Sequence, residues 1–304
     1  MIYQFDELQS EPFSEAVCVF SPTFPSRSTH RENSLQINIL GPVSISMSGK
    51  HHTIRANKVR AFLALLALEA GRAVSNEDLA DELWSGHLVG NTRNALQAHA
   101  TRLRKVILGS AHQRQGVSVL RAVHNGYLLE VPPECVDSNR FLDLAARGAA
   151  ELPVRPDHSL ELLQQALALW QGPALLDAGD GLRARGAAAL LDERRLTAWE
   201  NLVSAYLAVG DEGGAIAELR QLVARYPLRE RFCELLMLAL YRTGRQGEAL
   251  NQFQWTRRRL DEELGIQPGA LLQRRHTEIL AQDPALALPS AVMSSRREPA
   301  AARN

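Results

Sequence analysis

The 304-residue sequence predicts a small α+β domain followed by a longer all-α domain. Three observations support this fold class: short alternating apolar segments near the start, an Asn-Gly turn between two strand-like runs, and helical periodicity with an internal repeat in the second half. The predicted divisions are a disordered N-terminal extension over 1–34, the α+β domain over 35–132, the helical domain over 135–284 and a disordered tail over 285–304.

The α+β domain is predicted to begin with a small antiparallel sheet. The runs LQINIL, from Leu35, and VSISM, from Val43, alternate apolar and polar residues, which is typical of half-buried strands. Gly41-Pro42 separates the two runs, and Ser48-Gly49 follows as a turn. A third short strand is expected near His52–Ile54.

Helical periodicity follows the sheet. Ser75 can cap the second of three predicted helices, and Glu77 and Asp78 in its first turn suit the helix dipole. Beyond the third helix, the runs VSVLRAV and YLLEV flank His124-Asn125-Gly126, a strong hairpin signal. The predicted helices are Ala56–Ala70, Asn76–Trp84 and Asn91 or Thr92 to about Leu108. Sheet, three helices and hairpin in this order indicate a winged helix-turn-helix.

The net charge of the chain is zero, but the charge is unevenly distributed. Residues 50–129 hold eleven Lys/Arg and five acids, a balance of +6, so the remainder carries −6. The stretch Ser85–Leu129 has six Arg/Lys, four His and no acid. A basic domain joined to an acidic one is expected when one half of a protein binds a polyanion.

The third helix carries the chemistry expected for DNA binding. Leu96, Ala100, Leu103 and Ile107 form one apolar stripe. The opposite face suits a major groove, since Arg pairs with guanine, Asn or Gln with adenine, and Ala or the Thr methyl meets the thymine methyl. That face has Asn94, Gln97, Ala98, Thr101, Arg102 and Lys105, with Arg93 and Arg104 at its margins. A solvated amphipathic helix is the alternative, although a solvated face usually mixes both signs of charge.

The hairpin would be the wing. Arg121 and His124 near its tip could contact the DNA backbone or a minor groove, and an exposed arginine beside an ordinary turn histidine is an equally good interpretation. Lys58 and Arg60 at the start of the first helix could likewise touch phosphates or simply be solvated.

The helical domain contains a repeat of 34 residues. Leu202, Ala205, Gly210 and Ala215 recur as Leu236, Ala239, Gly244 and Ala249. The spacing is that of a tetratricopeptide repeat, in which two antiparallel helices approach at a small Ala and the chain turns at Gly. Residues 139–195 are expected to add helices that complete the core.

Other classes of site have no support in the sequence. Three separated cysteines, Cys18, Cys135 and Cys233, predict neither a disulfide framework nor a zinc site. No nucleotide-binding, metalloprotease or serine-hydrolase motif is present, so we expect no enzyme activity and no cofactor. The longest apolar run, Ala61–Leu68, is too short to span a membrane, and the first residues do not form a secretory signal. We therefore expect a cytoplasmic protein, associated with the nucleoid when bound to DNA.

Several longer segments resemble a known family. The runs KVRAFLALLALEAGRAVSNEDLADELW, NALQAHATRLRKVI and NGYLL are similar to the OmpR-type winged helix of the Streptomyces antibiotic regulatory proteins (SARPs). The runs ALALWQGPALLD, YPLRERFCELLMLALYRTGRQGEAL and DEELGIQPGALLQRRHTEIL are similar to the bacterial transcriptional activator domain of the same family. The resemblance covers roughly residues 35–284.

The resemblance implies a pathway-specific activator of a secondary-metabolite, or antibiotic, gene cluster. Such a protein is expected to bind direct repeats in promoter DNA, to associate with a second copy there and to recruit RNA polymerase holoenzyme. By position, Ala98, Arg102 and Arg104 would touch bases, and Thr101 and Lys105 the DNA backbone. The run Ala122–Asn125 departs from the Thr-Arg-Pro-Pro that the family's wing often has there.

Alternative functions remain open from sequence. A repressor of the same fold would differ only in promoter geometry. A helical-repeat adaptor, whose basic half binds an acidic protein, would show no sequence preference for DNA. An enzyme is the least supported, and no residue points to a small-molecule effector of the helical domain.

Overall fold

The computed structural model describes residues 35–47, 50–84, 91–110, 119–288 and 292. The predicted N-terminal extension, residues 1–34, lies outside the described residues, as does most of the predicted tail.

The predicted N-terminal sheet is confirmed. Its strands are β1 (Leu35–Asn38), β2 (Ser44–Met47) and β3 (Lys50–Thr53), antiparallel in the order β1-β2-β3. Ile37 of β1 lies opposite Ile45 of β2, and both are fully buried. The alternation of apolar and polar residues therefore turns one face of the sheet toward the core.

The three helices and the hairpin of the winged helix are also confirmed. A strand that the sequence did not predict, β4 (Ala73–Ser75), lies between the first two helices and pairs with the hairpin in the order β4-β6-β5. The sequence did not reveal β4 because a strand of three residues is too short to show an alternation of apolar and polar side chains. Gly126 permits this pairing because a side chain there would overlap the carbonyl of Val74. The elements are α1 (Asn57–Leu68), α2 (Asn76–Trp84), α3 (Thr92–Ser110), β5 (Leu120–Val123) and β6 (Gly126–Leu129).

The second domain is helical, as predicted, and its repeat forms helical hairpins. The chain turns at Gly210 and Gly244 with φ of 81° and 75°, a conformation that favours glycine. The repeated Ala215 and Ala249 are fully buried where paired helices meet. The helices are α4 (Asp137–Glu151), α5 (Pro156–Leu167), α6 (Leu182–Val209), α7 (Glu212–Arg225), α8 (Glu230–Arg242), α9 (Gln246–Leu264) and α10 (Ala270–Leu280).

The predicted disordered tail begins too early in the sequence. Residues Pro284–Ala287 form a 3-10 turn, and Leu286 is 1% exposed within the core of the repeat. Arg242 Nε donates to the carbonyl of Leu286 at 2.9 Å. The prediction is therefore wrong for residues 285–288, because Leu286 of this apolar run fits a site on the repeat that forms only in the folded chain.

The two domains meet in a buried junction at Asp137. Ile39 N and Leu40 N, directly after β1, donate to the Asp137 carboxylate at 2.9–3.0 Å. Val136 also forms a parallel bridge with Ile37. These contacts leave little freedom between the sheet and the first helix of the second domain, where the sequence predicted only a division between two domains.

A second contact across the junction involves Asp177, in the segment before α6. Its carboxylate accepts from Val43 N at 2.7 Å and pairs with Arg60 Nε at 2.9 Å. Arg60 also donates to the carbonyl of Ile54 at 2.6 Å. These internal partners make Arg60 a residue of the domain junction, which removes the support for a phosphate contact.

Asp137 predicts a pH dependence of stability. Burial raises its pKa to about 6, against the opposing effect of the backbone N–H groups of Leu40 and Ile39. The folded protein then holds this proton more tightly than the unfolded chain, so the stabilisation present below about pH 4 is lost as the pH rises toward 6. In urea unfolding, the free energy of the wild type minus that of Asp137→Asn should decrease between pH 4 and 6.5.

The same change at an exposed acid, Asp192→Asn, should produce no such trend. A wild-type advantage over Asp137→Asn that stays constant or grows with pH would contradict the proposed burial effect.

Candidate nucleic-acid interface

The orientation of α3 is fixed by its apolar stripe, as predicted. Leu96, Ala100 and Leu103 are fully buried, and Ile107 is 6% exposed. They belong to one core cluster with Phe62 of α1 and with Leu79 and Leu83 of α2. Packing of this stripe on two helices leaves the opposite side of α3 facing solvent.

The solvent-facing side of α3 carries most of the predicted DNA contacts. Asn91 Oδ1 caps the helix by accepting from Asn94 N at 3.0 Å. Thr101 Oγ1 donates to the carbonyl of Gln97 at 2.8 Å, one turn earlier. Within the described ranges no carboxylate pairs with this face, so its donors point to solvent. The exposed residues are Arg93, Asn94, Gln97, Ala98, Thr101, Arg102 and Lys105.

Arg104 differs from its neighbours on α3. It is half-buried, and its Nε donates to the carbonyl of Leu120 in β5 at 3.2 Å. Arg104 therefore fastens the helix to the base of the hairpin. The base contact that the family resemblance implies for Arg104 stays a prediction, and this internal hydrogen bond gives it less geometric support than Arg102.

The wing is a short hairpin whose tip lies beside the start of α3. His124 and Asn125 form the exposed tip, and Asn76 N donates to the carbonyl of Asn125 at 2.8 Å. A cleft of about 460 Å³ is lined by residues of the wing, of the start of α3 and of α2: His124, Asn125, Thr92, Arg93, Asn76, Glu77 and Ala80. His124 and Arg93 thus lie along one surface.

Arg121 does not reach the tip of the wing. It lies opposite Leu128 in the hairpin, and its Nη1 pairs with Glu130 Oε1 at 3.0 Å. This ion pair partly neutralises the charge of Arg121. The prediction of a DNA contact is therefore weaker for Arg121 than for His124. The ion pair was missed in the sequence because Glu130 lies one residue beyond the acid-free stretch.

Trp84 and His99 form a contact that sequence reasoning missed. Their rings stack at 6.0 Å between the end of α2 and the inner side of α3. Burial, then the charges of Arg102 and Lys58, lowers the pKa of His99 and so favours its neutral form. Lys58 donates to the carbonyl of Leu83 at the end of α2, an internal role that competes with any phosphate contact. The signal in the sequence for this contact was the position of His99 next to Ala100, a residue of the buried stripe of α3.

The described ranges contain neither a candidate metal site nor a candidate membrane span. No group of three His, Cys, Asp or Glu side chains among them could hold a metal ion. None of their helices is both long and apolar enough to cross a membrane.

Comparisons with known proteins agree with this geometry. Residues 53–129 match the family model "Transcriptional regulatory protein, C terminal", and residues 136–280 match "Bacterial transcriptional activator domain". The chain is 60% identical over 266 residues to the transcriptional regulator RedD of Streptomyces coelicolor, covering 88% of this chain and 76% of RedD. It is 37% identical over 260 residues to the regulatory protein DnrI of Streptomyces peucetius, covering 83% and 94% of the two chains.

A solved structure shares the fold of both domains. Mycobacterium tuberculosis EmbR, in complex with a low affinity phosphopeptide, superimposes with a TM-score of 0.79 at 30% identity. The match covers 86% of this chain and 69% of that chain. The winged domain and the helical domain therefore occur together in EmbR as they do here.

Arg102 and Arg104 should affect stability differently. Arg104→Ala removes the hydrogen bond to Leu120 and should lower the free energy of unfolding by about 1.5 kcal/mol, the lower end of the usual range for a hydrogen bond that involves a charged group, because the site is only half-buried. Arg102→Ala, at an exposed position, should change it by less than about 0.5 kcal/mol. Urea unfolding of both variants measures this difference, and equal losses would contradict the assigned role of Arg104.

Proposed function

Because this chain belongs to the Streptomyces antibiotic regulatory protein family of transcriptional regulators, we propose that it binds promoter DNA and activates a secondary-metabolite gene cluster. The observation that carries the proposal is the exposed face of α3, which has seven predicted contact residues and no acid. The winged helix of this protein would insert α3 into the major groove. The protein would then act in the cytoplasm, on the nucleoid.

The proposed binding energy comes from two kinds of contact. Thr101 and Lys105 would meet phosphates, and neutralisation of a phosphate by Lys105 releases counterions and makes affinity fall with salt. Arg102 can pair with guanine through two hydrogen bonds, a contact worth about 1–3 kcal/mol of discrimination. Ala98 would pack on a thymine methyl, while Asn94 and Gln97 can pair with adenine.

The margins of α3 supply positioning contacts. Arg93 lies at the first turn of α3, on the cleft that faces His124. Both side chains are exposed, so they can follow the phosphate backbone on one side of the inserted helix. Their contribution would set the register of the protein on the duplex rather than its sequence preference.

Binding to direct repeats would place two copies head to tail on one face of the DNA. Repeats about one helical turn apart bring neighbouring copies into contact. The helical domain would hold the copies together and contact RNA polymerase holoenzyme. The tight junction at Asp137 and Asp177 supports this division of labour, because it carries the orientation of the winged helix into the second domain.

The first test is DNA binding by purified full-length protein. Arg102→Ala should weaken binding to the upstream DNA of the neighbouring genes by about tenfold or more, and binding to unrelated DNA much less. Arg194→Ala is the matched control, since Arg194 is exposed on the helical domain, away from α3. Fluorescence anisotropy at two salt concentrations measures both affinities.

Weak binding that is equal on all sequences and unchanged in Arg102→Ala would contradict the proposal. If binding is specific, transcription in vitro with RNA polymerase holoenzyme determines its consequence. More transcript in the presence of the protein supports activation, and less transcript shows a repressor of the same fold.

A further inference from the structure

Two carboxylates on α2 join the helix-turn-helix to the start of α6. Glu82 accepts hydrogen bonds from Arg183 N at 3.0 Å and from Ala184 N at 2.7 Å. One turn earlier on α2, Asp78 Oδ1 accepts from Arg183 Nη2 at 2.5 Å. Glu82 and Arg183 are 101 positions apart, so this contact exists only when the two domains are packed together.

Glu82 acts as the N-terminal cap of α6. The helix begins after Gly181, which has no side chain to accept from the first N–H groups. The carboxylate also lies at the positive end of the helix dipole, which favours a negative charge. A Cβ at Gly181 would overlap the Glu82 carboxylate, so glycine provides the space that the interdomain cap needs.

From this cap, α6 extends through three hydrophobic core clusters of the described residues. Ala184 packs in the core of the winged helix, and Leu191 and Leu202 pack in the core formed with α4 and α5. Val203 and Leu207 belong to the core of the repeat. The 28 residues of α6 make a rod about 42 Å long. The orientation of α2 is therefore tied to that of the distant repeat by one continuous helix.

On the other side of the cap, α2 carries this orientation to α3. Leu79 and Leu83 of α2 share a core cluster with Leu96 of α3. The junction contacts of Asp137 and Asp177 hold the N-terminal sheet and α1, and α1 also packs on α3. Asp78 and Glu82 add the contact that joins α2 to the helical domain.

We propose that Asp78 and Glu82 are positioning residues that set the angle of α3 relative to the helical domain, and thereby the repeat spacing at which two copies bind cooperatively. This rests on the proposed function, binding to direct repeats. A copy whose winged helix is locked to α6 presents its helical domain to the next copy at one fixed angle. Only one spacing between repeats then allows both α3 helices to enter the groove while the helical domains touch.

A purely structural role would predict something different. Loss of an interdomain hydrogen bond would then lower stability and weaken binding to one repeat and to two repeats by the same factor. With a positioning role, affinity for one repeat and affinity for two repeats change differently. Each winged helix still binds its own repeat, but the preferred spacing between repeats is lost. Spacing dependence is therefore the deciding measurement.

The experiment compares Glu82→Gln with Asp81→Asn in full-length protein. Asp81 is an exposed acid of the same helix, so its variant removes one charge without touching α6. Gly181→Ala is a second test, since its Cβ displaces the Glu82 carboxylate without changing any charge. Affinities are measured on duplexes that carry one repeat, or two repeats with spacings varied in steps of one base pair over a full helical turn.

We expect Glu82→Gln and Gly181→Ala to bind a single repeat within about twofold of wild type. At the optimal spacing they should lose about tenfold in cooperativity, and the dependence on spacing should flatten. Backbone amide exchange at Arg183 and Ala184 should become faster in both variants and confirm that the cap has opened. Asp81→Asn should retain the wild-type spacing profile.

Two outcomes overturn the proposal in distinguishable ways. If wild type binds paired repeats cooperatively and the variants keep its spacing profile despite faster exchange, the positioning role is wrong and the proposed function stands. If wild type shows no preference for repeats over unrelated DNA, the proposed function and the positioning role both fail.

Discussion

The packing of α3 on α1 and α2 is the contact on which the proposed interface depends. Leu96, Ala100 and Leu103 are fully buried, so rotation of the helix about its axis would expose apolar side chains to water. The same constraint keeps Arg102 and Lys105 in solvent. A rigid helix with fixed donors can meet base edges without first becoming ordered, which lowers the entropic cost of binding.

The junction between the domains extends this rigidity to the rest of the chain. Asp137 ties the end of β1 to α4, and Asp177 ties α1 to the segment before α6. Both carboxylates bond to groups far away in sequence, so the two domains fold against each other. In the proposed arrangement of neighbouring copies on DNA, a firm junction would turn the position of each α3 into a defined position of its helical domain.

Sequence patterns predicted the features that depend on local periodicity. The alternation around Ile37, the stripe from Leu96 to Ile107 and the 34-residue repeat each report burial along one element, and all three are confirmed. The exposed face of α3 follows from its stripe. The missed features depend on distant contacts: β4 exists because β6 is available to pair with it, and Leu286 is ordered because the repeat offers it an apolar site.

The same limit applies to individual charged residues. Arg60, Arg104 and Arg121 look like Arg102 in sequence, but each has an internal partner in the fold. These partners are Asp177 for Arg60, the Leu120 carbonyl for Arg104 and Glu130 for Arg121. These internal partners give Arg60, Arg104 and Arg121 less geometric support as DNA contacts than Arg102 has. The partners could be found only from tertiary structure.

Base-analogue interference tests most directly whether Arg102 contacts a guanine in the major groove. Each guanine of a bound repeat is replaced in turn by 7-deazaguanine, which lacks the N7 acceptor, and binding of wild type and Arg102→Ala is compared. The proposed contact predicts that replacement of one guanine weakens wild-type binding but has no effect on Arg102→Ala. Equal sensitivity of both proteins at every position would contradict it.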